Sequence, residues 1–245
     1  MTAAYKILAL NVFGVGLLAW ACGLGETGVW DELDRAVFFF FNERLVQGSM
    51  WLTVTAYTNL RAFDVVAFAS MGLVFLHYFM GQPPEGRRRM ISMGILMLIS
   101  AVVIKQCGRF IPIEHPSPTL SFDNVSRLTS LVDISTKDSS GNSFPGDHGM
   151  MLMIFTAFLG RYFGRRAFLA GTVLVFVFAM PRIASGAHWF SDVYAGSLAI
   201  CSITMSWLLL TPASDKLIAL ITRHIPWKYV PMVGENSDGA RAHKG

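Results

Sequence analysis

Six separate apolar runs, each near the length needed to cross a bilayer, constrain this chain more than any other feature of its sequence. They cover residues 5–24, 63–80, 90–107, 148–163, 168–183 and 188–210, the fourth being the weakest by length. A spanning helix needs roughly 20 predominantly apolar residues, because lipid offers no partner to an unpaired backbone N–H or C=O and the helix must bond them internally. With 53% apolar and 15% charged residues and a mean hydropathy of +0.48, the chain lies outside the usual range of soluble domains. The expected fold is therefore all-α: an integral membrane six-helix bundle, with interfacial helices in the outer loops. The first run reads as a span and not as a cleavable leader, since Lys6 is its only early charge and further apolar runs follow.

Between the first and second runs, residues 33–46 (LDRAVFFFFNERLV) are too charged to span and predict an interfacial helix, with the phenylalanines at 38–41 as its membrane anchor. Residues 50–57 lead into the second span. Cys22, Cys107 and Cys201 sit in or beside apolar runs with no CxxC spacing, so they read as packing thiols, neither a disulfide framework nor a metal site.

Orientation follows from the short loops that carry Lys and Arg. Arg87, Arg88 and Arg89 follow the second run, Arg161, Arg165 and Arg166 follow the fourth, and Lys216, Arg223, Lys228, Arg241 and Lys244 follow the sixth. The alternate loops are acidic: residues 25–50 hold five carboxylates against two arginines, and residues 109–147 hold five against three cations. The basic loops and both termini belong on the cytoplasmic side, and the 109–147 loop and the turn near 184–187 face outward together. Topology thus accounts for the net charge of +4, with no need to invoke nucleic acid. Residues 1–231 form one transmembrane catalytic domain in this reading. The polar, small-residue-rich stretch 232–245 is expected to be a disordered cytoplasmic tail.

Ionisable residues at the mouths of spans mark functional sites by default. Three clusters meet on the outer face: Lys105 and Arg109 at the end of the third run; Ser143-Phe-Pro-Gly146-Asp147-His148 before the fourth; and Arg182 through His188 to Asp192 between the fifth and sixth. His188 and Asp192 are four apart, one face of a helix, so the carboxylate can hold a proton on one imidazole nitrogen and leave the other as a nucleophile. Attack on phosphorus by that nitrogen gives a phosphohistidine. Arg182 suits phosphate oxygens through its planar fork of donors. Gly146 and Asp147 at a helix start offer backbone N–H groups to an anion, and His148 is placed to act as general acid and then base. Lys105 and Arg109 read equally well as phosphate ligands or as snorkelling interfacial cations. Arg61, Asp64 and Lys137 fit a pocket lining or loop salt bridges equally well, and His77, His115, His224 and His243 read as structural or solvated.

These positions resemble the type 2 phosphatidic acid phosphatase superfamily of membrane lipid phosphatases and phosphotransferases. Its motif Ser-Arg-x5-His-x3-Asp appears as Pro181-Arg182-x5-His188-x3-Asp192, and its Pro-Ser-Gly-His as Pro145-Gly146-Asp147-His148. Ser143 or the Gly146 N–H is then the substitute for the missing motif serine as a phosphate donor group. The Lys-x6-Arg-Pro motif is degraded, with Lys105 followed by Pro112 in place of Arg. Stretches such as Thr58-Asn-Leu-Arg61-Ala-Phe-Asp64, Ser117-Pro-Thr-Leu120 and Gly186-Ala-His-Trp-Phe190 resemble the lipid A 1-diphosphate synthase branch, in which the degraded motif is expected.

The resemblance implies an inner-membrane, multi-pass enzyme with its site facing the periplasm, moving phosphate from undecaprenyl diphosphate to the 1-phosphate of lipid A. It implies His188 as nucleophile, Asp192 behind it, His148 as general acid, Arg182 on phosphate, no metal and no cofactor. The alternative within the same chemistry is a phosphatase acting on undecaprenyl diphosphate or another lipid phosphate. A non-catalytic lipid-phosphate binder is the competing class. The chain has no Walker loop, which suits a lipid diphosphate as donor.

Overall fold

The computed structural model describes residues 2–21, 28–108 and 115–225, so the expected tail at 232–245 and Arg109 lie outside the described residues. The fold is helical, and among the described residues the only strand-like feature is a single antiparallel bridge between Leu60 and Thr136. The helices in chain order are α1 (Ala3–Ala21), α2 (Val29–Asn42), α3 (Met50–Thr58), α4 (Arg61–Met80), α5 (Pro84–Gly108), the single turns α6 (Pro118–Ser121) and α7 (Leu128–Leu131), then α8 (Asp147–Phe163) and α9 (Arg165–Ala184). A π-helical segment, Asp192–Ser197, opens α10 (Leu198–Leu210), and α11 (Ala213–His224) follows.

Five of these, α1, α4, α5, α9 and the helix Asp192–Leu210, are long and apolar enough to cross a membrane. The chain is a multi-pass membrane protein. The fourth expected span, α8, has 17 residues, about 26 Å at the helical rise and so short of a hydrocarbon core of about 30 Å. Its length matters less than its position. Gly149, Met150, Leu152, Ile154, Phe155, Thr156, Phe158 and Leu159 are all buried, so α8 is wrapped by protein and its backbone ends need not reach the interface.

The helices approach closely where side chains are small, as lipid-embedded packing requires. A Cβ on Gly171 of α9 would lie 2.6 Å from Thr156 Oγ1 of α8, and one on Gly14 of α1 would lie 2.8 Å from the Ala199 carbonyl of α10. Around this core, Val12, Val65, Leu73, Val173 and Trp207 point outward, the apolar surface that lipid covers.

The two ends differ. At the basic end, Asp215 of α11 accepts from Arg89 at 2.7 Å and Arg161 at 3.3 Å, and Arg88 donates to the carbonyls of Thr222 and Ile225. At the other end, α2, α3, α6, α7 and the 115–146 loop form a cap. The expected interfacial helix at 33–46 is α2, displaced toward the N-terminus, and residues 50–57 form a separate helix, α3, capped by Ser49 Oγ at 3.0 Å from Leu52 N. The phenylalanine run is divided: Phe40 is exposed, whereas Phe38 is buried, stacked on Phe122 and close to Trp189. Phe38 therefore props the loop that carries His188 and is not a lipid anchor.

Candidate active site

Gly186 sets the turn that presents His188. Its φ of 73° lies in the left-handed region open to glycine, and the turn lets the N–H groups of Ala187 and His188 both donate to the Arg182 carbonyl, at 3.1 and 3.2 Å. His188 consequently precedes the last span instead of lying on it. Its Nδ1 is 2.8 Å from the Ser143 carbonyl. A ring nitrogen facing a carbonyl must carry the proton, so Nδ1–H donates and the lone pair is left on Nε2.

Asp192 Oδ2 stands 3.7 Å from the same Nδ1, outside hydrogen-bond length but within ion-pair distance. The spacing rule placed His188 and Asp192 together. It did not foresee that a backbone carbonyl would hold the proton. Asp192 itself is fully buried, its Oδ2 accepting from Trp189 N at 2.8 Å and its Oδ1 2.8 Å from His115 Nδ1. The π-helical turn aims the Asp192 carbonyl at Gly146 N (3.1 Å) and Ser197 Oγ (3.2 Å), tying the start of the last span to the loop before α8.

His115 thus joins the site, although nothing near it in sequence signals this. Burial opposes charge on its imidazole, but the hydrogen bond and charge of Asp192, with Asp34 and Asp31 behind, hold its pKa above the ordinary 6.5. Its ring stacks on Trp189 with centroids 5.7 Å apart. Asp34 of α2 is also buried and accepts from the N–H and hydroxyl of Ser191. Its pKa is pushed up to about 6, chiefly by burial, against the hydrogen bonds from Ser191.

The second half of the site is built on Arg182, which is 5% exposed. Nη1 donates to Asn59 Oδ1 and Nη2 to Asp64 Oδ1, both at 2.5 Å. His148 Nε2 lies 3.2 Å from the same Asp64 oxygen. Asn59 is held in turn by donating to the Lys137 carbonyl, while the Lys137 and Arg61 side chains are exposed. His148 also interacts electrostatically with Arg182, Asp64 and His188.

Three expected phosphate ligands have other partners. Lys105 Nζ is 2.7 Å from Asp147, a half-exposed pair. The Ser143 hydroxyl donates to the His115 carbonyl at 2.8 Å, and Gly146 N–H is taken by Asp192. Neither donor is free to meet an anion here; both instead fix the loop on which His188 and His148 depend. Gly146 is required for a different reason, since a Cβ there would lie 2.8 Å from Val193 Cγ2. Among the described residues, no group of three His, Cys, Asp or Glu side chains is arranged to hold a metal ion.

A cavity of about 200 Å³ opens beside Asp64, His148 and Arg182, walled by Phe63, Phe68 and Phe178. A second apolar cavity of about 200 Å³ lies between α4, α5 and α8, lined by Phe75, Met97, Leu98 and Ile154 among others. Both include Phe68 and Met151, so the polar pocket borders an apolar slot between α4, α5 and α8. A larger groove of about 810 Å³ between α1, α8, α9 and α10 includes none of the candidate site residues, and the chemistry is not placed there.

Residues 114–215 match the model of the PAP2 superfamily, a stretch holding His115, His148, Arg182, His188 and Asp192. The chain is 43% identical over 225 residues to lipid A 1-diphosphate synthase of Escherichia coli (strain K12), covering 91% of this chain and 94% of that protein. It is 28% identical over 169 residues to the bacitracin transport permease protein BcrC of Bacillus licheniformis, covering 69% and 76%. No solved structure matches. With a relative this similar over nearly its whole length, the chain belongs to the PAP2 superfamily, on the branch of the lipid A 1-diphosphate synthases.

Proposed function

We propose that this protein is a phosphotransferase that moves a phosphoryl group from undecaprenyl diphosphate to the 1-phosphate of lipid A, giving undecaprenyl phosphate and lipid A 1-diphosphate. The observation that carries the reading is the His188 tautomer: Nδ1–H is fixed on the Ser143 carbonyl beside buried Asp192, so Nε2 is free to attack phosphorus. As the N–P bond forms, the P–O bond to the lipid phosphate breaks. The ring becomes cationic next to Asp192, which favours the intermediate. Arg182 faces the phosphoryl oxygens and His148 the leaving oxygen, to which it supplies a proton. An oxygen of the acceptor 1-phosphate then attacks the phosphohistidine as its proton passes to His148; the new P–O bond forms, the N–P bond breaks, and both histidines are regenerated.

Ser143 and Gly146 take positioning roles in this scheme, the first through its carbonyl and the second through its bond to Asp192. Lys105, half-exposed in its pair with Asp147, is assigned to drawing the polyanionic headgroup in. The apolar slot between α4, α5 and α8 supports a substrate with a long hydrocarbon tail. The charge pattern of the loops supports an inner-membrane protein with this end toward the periplasm, where a lipid-borne donor takes the place of a nucleotide.

Purified protein mixed with undecaprenyl diphosphate and lipid A is expected to yield lipid A 1-diphosphate and undecaprenyl phosphate by mass spectrometry. Release of inorganic phosphate with no diphosphorylated lipid A would overturn the transferase and leave a hydrolase in which water meets the phosphohistidine.

A further inference from the structure

A carboxylate lines the pocket beside Arg182 and His148. Asp64 Oδ1 receives Arg182 Nη2 at 2.5 Å and lies 3.2 Å from His148 Nε2, the two groups between which the anionic oxygens of a substrate must sit. Asp64 stands in the first turn of α4, on a different helix from either partner; its side chain is 40% exposed, and it lines the pocket. Arg182 has its other terminal nitrogen committed to Asn59, so the Asp64 side is where an incoming anion can compete for the fork.

We propose that Asp64 is a specificity-determining residue that occupies the phosphate seat and must yield Arg182 to the substrate. The proposal deepens the phosphotransferase reading and rests on its site. A carboxylate already bonded to Arg182 opposes any anion that approaches, by repulsion and by competition for the same donors. An anion of low charge, such as inorganic phosphate or a lipid monophosphate, gains little by displacing it. A lipid diphosphate brings more charge and a tail for the slot, and so displaces it. Asp64 thereby biases the site toward diphosphates and against retention of free phosphate. Its contact with His148 also keeps a hydrogen-bond acceptor on that ring before substrate arrives.

The test is Asp64→Asn, which keeps an oxygen for Arg182 but removes the charge. Inorganic phosphate and orthovanadate binding to the purified full-length protein are measured by calorimetry, with turnover of a lipid diphosphate and of a lipid monophosphate measured in parallel. The expected result is at least tenfold tighter phosphate and vanadate binding, a KM for the monophosphate that falls toward that of the diphosphate, and a lower kcat. Anion affinity unchanged or weaker in Asp64→Asn overturns the proposal. If this variant is unstable, the wild-type protein and Asp64→Glu, which retains the charge, are compared with it by thermal shift. Phosphate should raise the melting temperature of Asp64→Asn more than that of either carboxylate form, and an equal rise in all three overturns the proposal. Anion binding needs no acceptor lipid, so tighter binding without any lipid A diphosphate formed would sustain the seat and reject the transferase, while turnover without tighter binding would do the reverse.

Discussion

At the scale of single residues, the site is a set of carboxylates each assigned to a cation or an imidazole: Asp64 to Arg182 and His148, Asp192 to His115 and, at longer range, His188, and Asp147 to Lys105. Replacing His188 with Ala is expected to lower turnover by roughly 1,000-fold or more, as loss of a covalent nucleophile does, with little change in melting temperature in detergent. Retention of turnover near the wild-type rate would remove His188 from the mechanism. Two groups give the stability a pH dependence in separate windows. Asp34 is raised from the ordinary 3.8 to about 6, so the native state binds its proton more tightly than the unfolded chain. Stability should fall as pH rises from about 4 to about 6, by up to on the order of 3 kcal/mol, and Asp34→Asn should flatten that limb in pH-dependent melting. His115 is raised above 6.5, so its pairing with Asp192 stabilises fully below that value and is lost as pH rises through the higher native one. His115→Asn should remove this second limb and leave the first. Arg182, His188 and Asp192 were legible because they fall within eleven positions of one another, and His148 because it opens an apolar run after Pro145-Gly146-Asp147. His115 was not, because its carboxylate partner lies 77 positions away, and only the cap loop brings them together.

At the scale of elements, hydropathy located the spans, but polar pairing located their ends. The last span opens with a π turn because the Asp192 carbonyl is drawn to Gly146 N–H and Ser197 Oγ, a demand no periodicity carries. Likewise α8 is short for a span yet central, since burial against neighbouring helices replaces the length that lipid would require. The small residues in these helices differ in what they permit. Gly171 packs directly on Thr156, so Gly171→Val should wedge α8 from α9 and destabilise by about 1–3 kcal/mol, the usual cost of overpacking. Gly16 in α1 has open space where its Cβ would go, and Gly16→Ala should be neutral or stabilising by up to about 1 kcal/mol through helix propensity. Thermal melts of the two variants in the same detergent check the contrast. Equal effects would mean that the α8–α9 contact is looser than these distances imply.

At the scale of the whole molecule, the two polar ends do different work. One is a clamp of Arg88, Arg89 and Arg161 on α11 and its Asp215, joining α5, α8 and α11. The other is the end that holds the cap, with His115 in the cap loop, His148 in the first turn of α8 and His188 in the turn after α9. In the topology proposed above from the charge asymmetry of the loops, the clamp faces the cytoplasm and the cap the periplasm, and that placement decides which donors can reach Nε2 of His188. It can be read directly with single cysteines at exposed positions: Ser135→Cys in the cap loop and Glu85→Cys at the start of α5. A membrane-impermeant thiol reagent added to cells with a permeabilised outer membrane and intact inner membrane should label Ser135→Cys, and should label Glu85→Cys only after the inner membrane is opened. The reverse pattern would place the histidines with the nucleotide pool, and the reason for choosing a lipid diphosphate as donor would go with it. The expected pattern ties donor to topology, because a site on the far side of the membrane from ATP can draw a high-energy phosphate only from what the lipid phase delivers.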